Sequence, residues 1–239
     1  MKESKSFEGK LYRPKDFEGK PNVEVLGQIR EIENSLSNNT AFVGLAPVGS
    51  TMRGGYSTES SNINIVILYD ANPGEEDINA RQDIATIMDA SRGRFTSVDR
   101  RNVEMSLLNI NPEAVINPFL ENTQNSISKA KFIEAIAEMS LLVVGNKIKE
   151  YRRIYSEQFG KLPPIKQLDI IEEAAAFCED KERPGTEKGE ARLHPNKSVA
   201  EVIEIRKARM ELWKKRLANM WLQDEDAKRH FIVRSEKRH

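Results

Sequence analysis

Ala41-Phe-Val-Gly-Leu-Ala-Pro-Val48 is an apolar run that ends in Gly49-Ser50, and Asn62-Ile-Asn-Ile-Val-Ile-Leu-Tyr69 begins a second one after the spacer Thr51–Ser61. The β-branched and aliphatic content of both runs predicts strands at 41–48 and 63–69. The spacer between them is polar and contains glycine, which predicts a loop. On a strand, side chains alternate between faces, so Asn62 and Asn64 share one face while Ile63 and Ile65 share the other. Two polar side chains on one face of an otherwise apolar strand, close to a Gly-Ser turn, mark the place where chemistry is to be sought.

Working outward, Val25, Leu26, Ile29, Ile32 and Leu36 recur at helical spacing and predict a helix over 22–37, with Asn38-Asn39 as its stop. Asp70-Ala-Asn-Pro-Gly74 predicts a turn, and a helix over 75–90 follows, with Glu75, Glu76 and Asp77 where the helix dipole favours acids. Its expected apolar positions are Ile78, Ile84, Ile87 and Met88. A third strand is expected from about Asn102 to Ile110. Asn111-Pro112 and Asn117-Pro118 are expected to break what comes next. The longest helix is expected over 126–155, with Gly145 as a kink or boundary. A short helix is expected over 165–178, and residues 179–197, almost devoid of apolar side chains, read as an exposed loop. Ser198 is a candidate cap for a last helix reaching about Leu222, with Val199, Val202, Ile203, Met210, Trp213, Leu217 and Trp221 as its apolar positions. The order implies an α/β (α+β) core with a small mixed sheet, followed by a helical C-terminal region. The expected domains are an arm at 1–21, a core at 22–118, a helical region at 119–222 and a charged tail at 223–239.

Bulk properties narrow the classes. The 239 residues carry 37 basic and 37 acidic side chains, so no net field draws the chain to nucleic acid or membrane. No apolar run reaches the roughly 18 residues of a membrane span, and the N-terminus has no apolar segment of a secretory signal, which leads us to expect a cytoplasmic protein. One cysteine, Cys178, excludes an intrachain disulfide, and with three scattered histidines a structural zinc site is not expected. No P-loop or dinucleotide fingerprint is present. Oligomeric state is not legible.

The pattern of a hydrophobic residue, Gly49-Ser50, a spacer, and alternating polar residues at 62 and 64 resembles the signature of the DNA polymerase beta-like nucleotidyltransferase superfamily. In that signature, aspartates occupy the positions of Asn62 and Asn64. The resemblance is specific over 41–70 and softer to 110. It implies a nucleotidyltransferase core that transfers a nucleoside monophosphate from a nucleoside triphosphate to a hydroxyl acceptor, releasing pyrophosphate, with Mg²⁺ as the metal. It implies nucleotide binding by Gly49, Ser50 and Arg53, and catalytic and metal-ligating positions at Asn62 and Asn64. The third carboxylate of the family lies on a neighbouring strand. In the register of the family, Ser106 takes its place, and Glu104, two residues earlier on the same face, is the available substitute. The acceptor implied is RNA, including a tRNA 3′ end, a protein side chain or a small molecule such as an aminoglycoside. The basic C-terminal region, with Lys214, Lys215 and Arg216, favours RNA.

Asparagine offers a carbonyl oxygen without negative charge, so a site built for two dications loses charge at each substituted position. Two explanations stand open at this point: a natural degenerate copy that binds without transferring, or deliberate replacement of both aspartates to silence an enzyme. The plain alternatives are a hairpin whose asparagines face solvent, an exposed strand carboxylate at Glu104, and a solvated basic helix face. Two further classes are a non-catalytic pseudo-nucleotidyltransferase and a helical interaction module scaffolded by the α/β half. Trp213 and Trp221, eight residues apart, are expected in the core.

Overall fold

The computed structural model describes residues 23–48, 63–99, 103–141, 143–182, 197–225 and 228–229. Among them are seven helices and three strands: α1 (Val23–Leu36), β1 (Phe42–Val48), β2 (Ile63–Tyr69), α2 (Glu75–Asp99), β3 (Val103–Asn109), α3 (Pro112–Glu121), α4 (Ser126–Ser140), α5 (Ile148–Phe159), α6 (Pro164–Glu182) and α7 (Val199–Trp221). The described residues are thus mostly helical with one small mixed sheet, an α+β fold. No described helix is long and apolar enough to cross a membrane. Two compact units are formed. The first gathers the described residues up to Asn109 with Leu141–Ile148. The second gathers Ile110–Ser140 and the described residues from Lys149 onward.

In the first unit the sheet order is β1-β2-β3, with β1 and β2 antiparallel and β2 and β3 parallel. The period of two sends Ile65, Ile67 and Tyr69 to one face, where they form a core with Leu45, with Ile29, Ile32 and Leu36 of α1, and with Ala80, Ile84 and Met88 of α2. Val103, Met105 and Leu107 of β3 pack against the same cluster. Ile78 departs from expectation: it is exposed, and Ala80 takes the buried place. The backbone of α2 runs on to Asp99, past the expected end at 90.

The outer edge of β1 is closed by a segment that sequence periodicity misassigned. The expected single helix over 126–155 is two helices, and residues 141–147 lie between them. Val144 and Leu45 exchange backbone hydrogen bonds of 2.8 and 3.0 Å. The chains touch so closely that a Cβ on Gly145 (φ +151°) would lie 2.3 Å from the Val43 carbonyl oxygen, and one on Gly44 would lie 2.8 Å from that of Val144. Glycine at both positions permits the crossing. The Lys147 ammonium donates to the Thr40 carbonyl. Gly145 therefore marks a boundary, as its position in the run suggested. Pro47, which has no N–H, sits on this edge strand, where a missing donor is tolerated.

The second unit also corrects the sequence reading. Asn111-Pro112 does not break the chain but starts α3. The Asn111 side chain accepts from the N–H groups of Glu113 and Ala114 at 2.8 and 3.2 Å, and Pro112 occupies the first turn. Pro118 lies inside α3, three residues before its end. Phe119 of α3 stacks on Phe132 of α4 at 4.4 Å, and Phe132 on Tyr155 at 5.9 Å. Helices α6 and α7 pack along one another, and Ile170, Ile171, Ala174 and Cys178 of α6 and Ile205 and Trp213 of α7 are buried. Ser198 caps α7 in a capping box with Glu201. Trp213 and Trp221 are buried, as expected, and the Trp221 indole N–H donates to Ser140 Oγ at 2.8 Å. Val199 and Ile203 are instead 78 % and 45 % exposed. The buried stripe of α7 is Ile205, Arg209, Trp213, Leu217 and Trp221, which includes an arginine.

Candidate functional site

The parallel register of β2 and β3 pairs Asn64 with Glu104 and Val66 with Ser106. Asn64, Glu104 and Ser106 all alternate away from the apolar cluster, so they share the second face of the sheet. Glu104 and Ser106 are exposed there, whereas Ala46, Val66 and Leu68 on the same face are buried. Asn64 is half-buried, and its Oδ1 is shielded from solvent with no hydrogen-bond partner. Leaving such an acceptor unsatisfied costs about 1–3 kcal/mol. The two side chains the sequence singled out on β2 and β3 are therefore neighbours. Of the two β3 candidates, it is Glu104, not Ser106, that lies level with Asn64.

Gly49, Ser50, Arg53 and Asn62 lie outside the described residues, as does the spacer between β1 and β2. Asn62 precedes Ile63, the first residue of β2.

The residues present do not fit a centre for two divalent cations. Among the described residues no group of three or more histidine, cysteine, aspartate or glutamate side chains is arranged to hold a metal. The sequence places amides at 62 and 64, so Glu104 supplies the one negative charge among the three expected ligands. Two hard dications held by one carboxylate lack the charge such sites rely on.

Sequence reasoning missed the polar cluster at the other end of β2. Asn109, paired with Tyr69 in the register, donates from Nδ2 to the Ala71 carbonyl at 2.8 Å and to Asp77 Oδ1 at 2.8 Å. Tyr69 donates to Asp77 Oδ1 at 2.7 Å and accepts from Arg81 Nε at 2.7 Å. Burial, followed by the hydrogen bond to Asp77, pushes the Tyr69 phenol up to about 12.

The basic residues of α7 are largely engaged. Arg209, 2 % exposed, pairs with Glu179 at 2.7 Å, and Arg206 approaches the same carboxylate at 3.7 Å. Glu179 is buried within α6, which continues through the start of the expected loop at 179–197. Lys214 lies 2.9 Å from Glu211 and 3.8 Å from Glu172, and the Arg216 guanidinium sits 4.9 Å from the Trp213 ring centre. Compared with models of protein families, with curated proteins and with solved structures, the chain matches none.

Proposed function

We propose that the sheet-containing unit is a nucleotidyltransferase-type core that binds a nucleoside triphosphate and, with Asn62 and Asn64 as they stand, does not transfer its nucleotidyl group at an enzymatic rate. The observation that carries this reading is the level pairing of Asn64 with Glu104 on one face, with the Asn64 Oδ1 shielded and unpartnered. It accords with the Gly49-Ser50 pair in the sequence and its spacing to 62 and 64. The order α1-β1-β2-α2-β3, with an antiparallel pair followed by a parallel one, is compatible with it.

In this reading Gly49, Ser50 and Arg53 receive the phosphates, because glycine allows close backbone approach and the hydroxyl and guanidinium donate hydrogen bonds. Asn64 presents its carbonyl oxygen, and Glu104 keeps the single charge of the old ligand set. Mg²⁺, where it enters, comes bound to the triphosphate and not to a preformed cage.

RNA as the acceptor belongs to the same reading and rests on Lys214, Lys215 and Arg216. Lys214 and Arg216 have partners within the helical unit, so neutralising either perturbs stability as well as any RNA contact. The test of nucleotide binding is titration of Mg²⁺-nucleoside triphosphate into the protein and into its Ser50→Ala and Arg53→Ala variants. Weakened binding in both variants supports the reading. Absence of binding in the parent and in the Asn62→Asp/Asn64→Asp form defeats it.

A second reading is favoured by the neutral amides themselves: a pseudo-nucleotidyltransferase that uses this face of the sheet to hold a nucleotide or a protein partner without chemistry. Restoring both aspartates separates the two. Recovery of transfer supports a silenced enzyme; tighter nucleotide binding with no transfer supports a binding module.

A further inference from the structure

The apolar alternation does not by itself decide which β3 residue lies beside Asn64. Ile65, Ile67 and Tyr69 on β2, and Val103, Met105 and Leu107 on β3, repeat with a period of two. A slip of one residue would turn every side chain to the wrong face, but a slip of two keeps every face correct. Such a slip, about 6.6 Å along the strand, would place Ser106 or Asn102 beside Asn64 in place of Glu104. Something other than hydrophobicity must exclude it.

We infer that Asn109 is a positioning residue whose side-chain amide, held on Ala71 and Asp77, fixes the β2/β3 register and thereby makes Glu104 the neighbour of Asn64. Its Nδ2 donates to the Ala71 carbonyl and to Asp77 Oδ1, both at 2.8 Å, and its Oδ1 receives the Ala71 N–H at 3.4 Å. Ala71 follows β2 by two residues, so the amide acts as one more rung that ties the end of β3 to the continuation of β2. Asp77, in the first turn of α2, is itself held by the Tyr69 hydroxyl at 2.7 Å and by Arg81 at 3.1 Å. The anchor is thus built on two elements, and a displacement of about 6.6 Å breaks the Asn109 bonds to Ala71 and Asp77 at once. The assignment of Glu104 to a nucleotide site rests on the function proposed above. The register assignment does not.

The test uses two cysteine pairs in the full chain, Asn64→Cys with Glu104→Cys and Asn64→Cys with Ser106→Cys, oxidised and identified by peptide mass. Level neighbours on adjacent strands fall within the Cα separation a disulfide accepts, whereas a two-residue diagonal, roughly 8 Å, does not. The first pair is expected to close in strong preference to the second. Introducing Asn109→Ala is expected to lower the ratio of first to second by at least about tenfold, since the lost hydrogen bonds include one to a carboxylate. A role in stability alone would lower the unfolding midpoint and leave the ratio unchanged. Preferential closure of the second pair in the parent overturns the inference. So does an unchanged ratio in folded Asn109→Ala or, where that variant does not fold, in the milder Asn109→Ser. Separately, Glu104→Gln is expected to weaken Mg²⁺-nucleotide binding of the Asn62→Asp/Asn64→Asp form, and Ser106→Ala is not. Cysteine closure as expected with no effect of Glu104→Gln defeats the nucleotide reading and leaves the register assignment standing.

Discussion

Asn64→Asp is the substitution whose energetics follow most directly from the sheet. The new carboxylate would stand level with Glu104 on the adjacent strand, at the ~5 Å spacing of neighbouring strands. Two like charges at that distance repel by about 3 kcal/mol at an effective dielectric constant near 20. Glu104 is exposed, so solvent screening reduces this, while the shielded position of the Asn64 oxygen adds a desolvation cost. We expect Asn64→Asp to destabilise the metal-free protein by roughly 1–3 kcal/mol near neutral pH. The sign with pH follows from the repulsion. It raises the folded-state pKa of the new carboxylate above its unfolded value of about 4, so the cost is absent below about pH 4 and grows as pH rises through the carboxylate range. Millimolar Mg²⁺ is expected to recover part of the loss, since a cation that binds only the folded state stabilises it by mass action. Asn64→Leu provides the contrast. It removes the unpartnered oxygen at similar volume and is expected to be neutral or stabilising, with no response to Mg²⁺. Urea unfolding at pH values on both sides of the carboxylate range, with and without Mg²⁺, reads all of these. An Asn64→Asp protein as stable as the parent at neutral pH and indifferent to Mg²⁺ would refute the claim that residues 64 and 104 share a site.

Three further outcomes test the packing that holds the site and the helical unit. Gly145→Ala places a methyl 2.3 Å from the Val43 oxygen at φ +151° and is expected to cost about 3 kcal/mol in denaturant unfolding, while Gly27→Ala, with nothing within 4 Å on helix α1, is expected to stabilise by about 0.5–1 kcal/mol. Equal effects would contradict the close crossing at β1. Arg209→Ala leaves Glu179 buried and is expected to cost about 3–5 kcal/mol, whereas Arg209→Met with Glu179→Leu is expected to fold with near-parental stability; a mild single variant would show the pair to be solvated. The Tyr69 phenol, raised to about 12, stays protonated in the folded protein after it ionises in the unfolded chain, so stability is expected to fall between about pH 10 and pH 12 by up to ~3 kcal/mol. Tyr69→Phe should flatten that slope, as followed by thermal unfolding alongside tyrosinate absorbance.

The strands were legible because their signal is local. Ile65, Ile67 and Tyr69 alternate with Asn64, Val66 and Leu68, and a period of two with β-branched residues leaves little else for that segment to be. That Asn64, Glu104 and Ser106 share one face followed from alternation on two adjacent strands, whereas the level pairing of Asn64 with Glu104 came from the register of the sheet. Failures arose where a long-range contact outweighed a local pattern. Leu141, Val144 and Ile148 continue the helical spacing of α4, yet Val144 instead forms backbone hydrogen bonds to Leu45, nearly a hundred residues earlier, and Gly145 allows the chain to do so. Pro112 and Pro118 read as breakers, but proline suits a first turn, and α3 accommodates the second close to its end. On α7, Val199 and Ile203 completed an apolar stripe by spacing, but burial follows Ile205, Arg209 and Trp213, because Glu179 on α6 supplies the partner that lets an arginine enter the core. Neither Asn109 nor Glu179 carried a sequence signal of its role, since the partners of each are fixed by packing and not by spacing.

In the function proposed above, Gly49-Ser50, residues 62 and 64, and Glu104 contribute to one nucleotide site that carries a single carboxylate. Calorimetric titration of Mg²⁺-nucleoside triphosphate into the chain as it stands and into its Asn62→Asp/Asn64→Asp form tests it most directly. The account predicts binding in both, at least about tenfold tighter in the restored form, because two carboxylates re-create the cation-holding face beside Glu104. Equal affinity in the two forms, or binding in neither, would contradict it.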